Sequence, residues 1–337
     1  MAKAQIGTSI LALTLIMSAC LEDGERGNPL DPLSSNFVDE GQVSGRVTQR
    51  SLAGVSGSLV QLTPGGLTSV TDGSGSFSIS DVPSGSYTVT VEAAGYVNAV
   101  DTISVAPGVP VAANFELNGL PILESWTVNT AHISRWWPLE DLFQVEFVVQ
   151  ASDIDGVFDV DKVWLDIPDY GFADTLLTTQ TTGTFARTLN DLDLPTTTIH
   201  ALLGRPMLLS VRDHLSDIVT TPDLRLVRVI DETPEAVEEA FQNGPQDCLQ
   251  GQSGSGVVPL IEWKPLFLPY PFTHRVDIIR VDSGLETLVE RIDNIPFDET
   301  SVVATPLPDG EYYWTVAVVD EFMNRSRSKQ VGFCIIP

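Results

Sequence analysis

Short runs of alternating apolar and polar residues recur along most of this chain, separated by glycine, proline, asparagine or aspartate. In SFSIS, Phe77 and Ile79 alternate with serines, and in SYTVTVEA, Tyr87, Val89 and Val91 alternate with polar residues. Because successive side chains of a strand point to opposite faces, each run predicts a strand with one buried face. We therefore predict an all-β fold of three tandem antiparallel β-sandwich domains, after a signal peptide and a flexible tether.

The first predicted domain, residues 42–119, contains a specific set of turn and strand residues. The segment TDGSGSFSISDVPSGSYTVTVEAAGY follows VSGRVT, and its DGSG and VPSG stretches favour chain reversal between strands. These segments resemble the carboxypeptidase regulatory-like family, which implies a transthyretin-like sandwich. The residues that carry the resemblance are Gly45, Val47, Thr71, Asp72, Gly75, Phe77, Gly85, Tyr87, Val89, Val91, Ala93, Gly95 and Tyr96.

The name of that family raises the question of zinc peptidase chemistry. Zinc hydrolases hold the metal with closely spaced histidines and carboxylates. The chain has four histidines, and no HExxH or HxxE pair is present. GxSxG, GxGxxG and Walker sequences are also absent. We therefore predict that the protein is not an enzyme, with RDHLSD around His214 interpreted as a polar turn.

Residues 120–231 predict a second sandwich. DLFQVEFVVQASDIDG alternates through Phe143, Val145, Phe147 and Val149, and VDKVWLDIPD supplies a further strand. The pattern that runs from VQASDIDG into VDKVWL resembles bacterial immunoglobulin-like modules. The resemblance implies an immunoglobulin-like domain here.

Residues 232–337 predict the third sandwich. Trp263 in an early strand and the late run DGEYYWTVAVVDEFMNRS resemble a fibronectin type III-like domain. Cys248 precedes the first strand and Cys334 lies in the last one. Because these strands can lie close in such sandwiches, we predict a Cys248–Cys334 disulfide, with two buried reduced cysteines as the alternative.

The N-terminus predicts export. The stretch from Ile6 to Ala19 is apolar or small apart from four hydroxyl residues, and its 14 residues are fewer than the roughly 20 that span a bilayer. We interpret residues 1–19 as a signal peptide. MSAC, which ends at Cys20, resembles a bacterial lipobox and implies lipidation of Cys20. The alternative is a plain secretory signal with a chance cysteine.

Lipidation would attach the chain to a membrane. Residues 20–41, which are rich in acids, glycine and proline, predict the lipidated cysteine and a tether. Leu21 rather than aspartate follows the cysteine, which favours the outer membrane. We therefore expect a cell-envelope protein held by an N-terminal lipid anchor.

The acidic balance narrows the range of partners. Asp and Glu number 45 against 18 Lys and Arg, which gives a formal net charge of -27. Such a charge repels nucleic acid phosphates, so no nucleic acid partner is expected. The partner that remains is an unknown protein or glycan.

One loop suggests metal binding. SDIDGVFDVDKVW places Asp153, Asp155, Asp159 and Asp161 within nine residues, and calcium prefers oxygen ligands from such loops. The twelfth position of an EF-hand counted from Asp153 is Trp164 rather than a bidentate glutamate. A weak calcium site and an ordinary acidic turn both remain open, and no other cofactor is expected.

Two further segments stand out. Trp136 and Trp137 in HISRWWPLED form a candidate ligand platform, since paired aromatics stack on sugars or anchor proteins, although packing in a core or at a domain junction is the alternative. TPEAVEEAFQNG predicts a short helix between domains, with Thr233 as N-cap and Gly244 as its end.

Taken together, the predicted sandwich domains and the predicted lipid anchor favour a structural or protein-interaction module, with a carbohydrate-binding surface lipoprotein as the alternative.

Overall fold

A computed structural model describes residues 36–237 and 258–336, residues 28, 31, 33 and 34 before them, and the backbone of residues 248–250. The predicted signal peptide, Cys20 and most of the predicted tether lie outside the described residues. The described chain consists of strands and four short 3₁₀ turns, which confirms the predicted all-β sandwich class. It divides into two compact units, with the boundary between Gly119 and Leu120.

The first unit is a two-layer sandwich. One layer has the order β4-β1-β7, with β8 also paired to β1, and the other has the order β3-β2-β5-β6. Its strands are β1 (Glu40–Gln49), β2 (Leu59–Thr63), β3 (Leu67–Val70), β4 (Ser76–Pro83), β5 (Gly85–Glu92), β6 (Ala99–Val105), β7 (Pro110–Ala112) and β8 (Phe115–Leu117).

The core of this unit follows the alternation in the sequence. Phe77, Ile79 and Tyr87 are at most 7% exposed, and Val89 and Val91 are completely buried. The serines and threonines between them face solvent, apart from half-buried Thr90. The predicted buried faces of these two strands are therefore confirmed.

The second unit begins with a long hairpin and continues through a sandwich. Its first strands are β9 (Pro121–Ile133), β10 (Leu142–Asp153), β11 (Val160–Ile167), β12 (Phe172–Thr178), β13 (Thr184–Asn190), β14 (Leu208–Asp213) and β15 (Ile218–Thr220). Strand β12 pairs first with β11 and then with β13, so it connects the two layers. The predicted inward residues Val145, Phe147 and Val149 are completely buried in this core, and Phe143 packs against it.

The remaining strands enclose a separate core around Trp263 and Trp314. They are β16 (Cys248–Gln250), β17 (Leu260–Glu262), β18 (Phe272–Asp282), β19 (Leu285–Ile295), β20 (Ser301–Val303), β21 (Gly310–Asp320), β22 (Arg325–Arg327) and β23 (Val331–Ile336). Tyr312 is 3% exposed, and every residue from Trp314 to Asp320 is buried, so this part of β21 is covered on both faces.

The two cores of the second unit share one hydrogen-bonded sheet. Strand β22 runs parallel to β9, with Ser326 opposite His132, and this pairing joins β10 and β9 to β21 and β18. Nearby, buried Asn324 accepts a hydrogen bond from the backbone N–H of Thr130 (2.9 Å). A division of residues 120–337 into two domains near residue 231 stays a prediction, since each part has its own core within one compact unit.

The predicted helix at Thr233–Gly244 is wrong in its described part. Ala236 forms an antiparallel bridge with Trp263, and the Lys264 N–H donates to the carbonyl of Glu235 (2.8 Å). This pairing with the third core outweighs the local capping signals, and residues 238–244 lie outside the described residues. In the part of the chain that the structure describes, no helix has the length and apolar character to cross a membrane.

Candidate functional site

Three aspartates converge at one end of the sandwich formed by β10–β15. Asp153 ends β10, Asp159 lies in the 3₁₀ turn Val157–Asp159, and Asp213 ends β14. One carboxylate oxygen from each lies within 4.8 Å of the others, and we call these three residues the aspartate cluster.

Strand pairing explains how a distant residue joins the loop. Strand β14 is antiparallel to β11, and Val160 lies opposite Asp213 in that register. The end of β14 therefore lies beside the turn that carries Asp159. The backbone N–H of His214 donates to the Asp159 carbonyl (3.0 Å), which ties the two segments together.

Asp153 is the most constrained member of the cluster. Its side chain is 7% exposed, and its Oδ1 accepts a hydrogen bond from the Asp155 N–H (2.8 Å). Its Oδ2 is buried and has no hydrogen-bond partner among the described residues. Burial, and then repulsion by Asp159, Asp155 and Asp213, raise the pKa of Asp153 to about 6, although the Asp155 N–H opposes this rise.

The four aspartates of the predicted loop have different surroundings. The structure brings Asp153 and Asp159 together, but it directs Asp161 to Arg212, whose Nε lies 3.0 Å from Asp161 Oδ2. Asp155 contributes its backbone N–H to Asp153 rather than a carboxylate to the cluster. Sequence reasoning missed Asp213 as a member of the cluster, because RDHLSD showed only a local polar turn.

Trp136 and Trp137 lie on the loop that joins β9 to β10. They are 51% and 80% exposed, and Leu139 on the same loop is 74% exposed. Trp136 is held in place: its Nε1–H donates to the Gln330 carbonyl (2.7 Å), and the Lys329 ammonium lies 4.5 Å from its ring centroid. The loop thus presents a large apolar surface on a fixed base.

Three polar side chains at the base of this loop, buried His132 and Ser326 and exposed Asp141, have the composition of a catalytic triad. His132 Nε2 lies 3.0 Å from Asp141 Oδ2, and His132 Nδ1 lies 3.3 Å from Ser326 Oγ and 3.1 Å from the Ile230 carbonyl. Ser326 is 0% exposed and His132 only 3% exposed. A nucleophile must reach its substrate, so this arrangement ties β9 to β22 rather than forming an active site.

The two distal cysteines occupy paired backbone positions. Strand β16 is parallel to β23, and Cys248 lies opposite Cys334 in the register. Neighbouring strands lie about 4.8 Å apart, within the usual Cα separation of a disulfide. The disulfide itself stays a prediction.

Comparison with known families gives one sequence match. A sequence model of the carboxypeptidase regulatory-like domain matches residues 42–118. The matched residues lie within the first unit and are similar to that domain. No curated protein sequence matches the chain.

The motif residues of the regulatory-like domain form a turn. Asp72 Oδ1 accepts hydrogen bonds from the N–H groups of Ser74 (2.8 Å) and Ser76 (2.9 Å) and from the Ser74 hydroxyl. The Ser74 hydroxyl and these N–H groups lower the pKa of Asp72. Gly75 has a φ of 81°, which glycine adopts without strain. The motif therefore has a structural role in this domain.

The structural comparison matches several kinds of protein, all with low TM-scores. BcpA, the major pilin subunit of Bacillus cereus, is 10% identical, with 88% of this chain and 96% of that one covered and a TM-score of 0.29. Fibronectin(III)-like modules of Clostridium thermocellum CbhA are 11% identical, with 64% and 93% covered and a TM-score of 0.28. A type II cohesin–X-dockerin complex from Acetivibrio cellulolyticus is 23% identical, with 23% and 58% covered and a TM-score of 0.22. The chain thus spans about 58% of the length of that last relative, and these low scores carry no functional conclusion.

Proposed function

We propose that the chain is a non-enzymatic lipoprotein of the cell envelope that binds a partner protein through the loop of Trp136, Trp137 and Leu139. The lipid on Cys20 would fix one end to the outer membrane, and the β-sandwich domains would present the loop. The main observation behind this proposal is that Trp137 is 80% exposed next to Trp136, whose ring is fixed by its hydrogen bond to the Gln330 carbonyl.

Exposed tryptophan favours binding for a physical reason. A large aromatic side chain in water forgoes the stabilisation that burial would provide, about 25 cal/mol per Å² of apolar surface. Protein interfaces recover that energy, and tryptophan is enriched among their energetic hot spots. The aliphatic side chain of Leu139 adds apolar surface of the kind that a protein partner covers.

The test is site-specific crosslinking in envelope extract, with the chain from residue 21 as bait. Trp137→Ala is expected to reduce capture of a specific partner by about tenfold or more, since hot-spot truncations cost at least 2 kcal/mol. Phe267→Ala is the matched control, because Phe267 is an aromatic side chain that is 86% exposed on another loop. Equal capture by the wild type and Trp137→Ala would contradict the proposal.

Carbohydrate is the second candidate ligand, because an exposed indole ring also stacks on sugar rings. A glycan array separates the two candidates. Glycan binding that is lost in Trp137→Ala, together with no specific protein capture, would favour the carbohydrate-binding alternative.

A further inference from the structure

We propose that Asp153, Asp159 and Asp213 form a binding site for one divalent cation, and that calcium is the ion they take. The three carboxylates come from a strand end, a 3₁₀ turn and a second strand end, and their nearest oxygens lie within 4.8 Å of one another. This inference is independent of the partner proposed above.

The surroundings of Asp153 point to a ligand. A buried carboxylate is costly unless charge or hydrogen bonds compensate it. Asp153 is 7% exposed, and its Oδ2 has no hydrogen-bond partner among the described residues. The largest charge interactions that act on it come from Asp159, Asp155 and Asp213, and all three are repulsive. A bound cation would turn this repulsion into attraction.

Nearby basic side chains are directed elsewhere. Arg212 donates from both Nε and Nη2 to Asp161 Oδ2. His214 Nδ1 lies 3.6 Å from Asp161 Oδ1. Asp161 therefore pairs with both of these basic side chains.

Backbone donors orient the carboxylates. The Asp155 N–H donates to Asp153 Oδ1 (2.8 Å), and the Asp217 N–H donates to Asp213 Oδ1 (2.7 Å). Such outer contacts fix the direction of ligand groups in metal sites. Two of the three carboxylates are thus oriented before any ion binds.

The donor set fits calcium. Calcium binds carboxylate oxygens at about 2.3–2.6 Å, so two ligands of one ion can lie up to about 5 Å apart. The 4.8 Å limit within the cluster satisfies this geometry. Magnesium keeps several waters and is rarely enclosed by protein carboxylates alone, so we expect it to bind more weakly.

Calorimetry tests the site on the chain from residue 21 after removal of metal with a chelator. We expect one calcium ion to bind per chain and the melting temperature to rise with calcium concentration. Absence of both heat and a melting shift at about 10 mM calcium, well above the weakest known calcium modules, would overturn the proposal. Tighter binding of magnesium would overturn the choice of calcium.

Substitutions separate the cluster from the acidic loop as a whole. Asp153→Asn and Asp213→Asn are expected to weaken calcium binding by at least about tenfold. In metal sites, the loss of a hydrogen bond that merely orients a ligand already reduces metal affinity by about that factor. Asp161→Asn is the matched control, because Asp161 lies in the same loop but pairs with Arg212, and we expect a change of less than about twofold. Wild-type affinity in Asp213→Asn, or an equal loss in Asp161→Asn, would overturn the assignment.

Folding of the variants is checked by their melting curves without calcium. Asp213 is only 1% exposed, so a folding defect in its variant would obscure the affinity. Asp159→Asn, at a partly exposed position, then provides the same test with the same expected loss of calcium binding.

Discussion

At the scale of single residues, His274 is a titratable group in apolar surroundings. It is 0% exposed, and its ring centroid lies 5.1 Å from that of Trp263 and 5.3 Å from that of Phe272. Its Nδ1 lies 3.3 Å from the Pro296 carbonyl, and its Nε2 has no hydrogen-bond partner among the described residues. Burial lowers the pKa of His274, and the Pro296 carbonyl offsets this only in part.

We predict that stability decreases as the pH falls below about 6.5, the ordinary pKa of histidine. In that range the unfolded chain binds a proton at His274, while the folded chain binds it only at lower pH, so the free energy of unfolding falls with pH. Chemical denaturation between about pH 5 and 7.5 measures the effect. His274→Gln should show a shallower decline, and equal slopes in the two proteins would contradict the prediction.

Side-chain alternation predicted the buried residues of β4 and β5 well, but the grouping of the three aspartates in the cluster depends on longer-range structure. Phe77 and Val89 face the core because strand period alone decides which face they occupy. Asp153 and Asp159 lie six positions apart, so a local pattern revealed both. Asp213 joins them only through the register of β14 on β11, which the sequence does not specify by itself.

At the scale of elements, the junction of β9 and β22 depends on a buried amide. The Oδ1 of Asn324 accepts hydrogen bonds from the N–H of Thr130 (2.9 Å) and from its hydroxyl (3.1 Å), and its side-chain NH₂ donates to Asp320 Oδ2 (3.1 Å). Asn324 is 2% exposed, and Thr130 and Asp320 are also buried. One side chain therefore joins β9 to the turn between β21 and β22.

We predict that Asn324→Ala destabilises the second unit by about 2–3 kcal/mol, because it leaves buried donors and acceptors without partners. Urea denaturation followed by tryptophan fluorescence suits this measurement, since all six tryptophans lie after residue 120. Thr127→Ala on the exposed face of β9 is the control, with an expected change within about 0.5 kcal/mol. A similar small change in Asn324→Ala would argue against this role of the amide.

The pairing of β16 with β23 leads to a prediction about oxidation. We expect non-reducing peptide mapping to recover a peptide that joins Cys248 to Cys334. The bond would close a loop of about 85 residues and stabilise the fold by roughly 4–5 kcal/mol in the loop-entropy model, so a reductant should lower the melting temperature. Recovery of two free thiols would contradict the disulfide.

The wrong helix prediction at Thr233 shows that strand pairing can outweigh local helix-capping signals. A threonine N-cap and a following proline favour a helix start by about 1 kcal/mol. Backbone pairing of Glu235 and Val237 with strand β17 and Lys264 supplies competing hydrogen bonds. Such pairing joins distant parts of the chain, so helix propensity alone does not reveal it.

At the scale of the whole molecule, the sequence predicted the all-β sandwich class, which the structure confirms, whereas the domain boundaries stay predictions. The family match ends at Asn118, and the boundary between the two compact units follows Gly119. The shared sheet across the two later cores was not visible, since a three-residue strand such as β22 has too little periodicity to indicate its partner.

Lipidation gives a prediction for the complete chain. We expect wild-type protein to sediment with membranes and Cys20→Ser to lose its acyl chains and appear in the soluble envelope fraction. Metabolic labelling with a fatty acid and fractionation measure both effects. If Cys20→Ser still sediments with membranes although it carries no fatty-acid label, the prediction of a lipid anchor would be contradicted.

Strand β9 also has a mechanical consequence. It begins at Pro121, directly after the boundary between the units, and its 13 residues run without a break to the loop of Trp136 and Trp137. At about 3.3 Å per residue, β9 is about 43 Å long. A pull between a membrane anchor and a partner held at Trp137 would stretch β9 along its own axis. Both points of load would lie on β9 itself, which is already extended, so its covalent backbone would carry the force and its hydrogen bonds to β10 and β22 would not have to open.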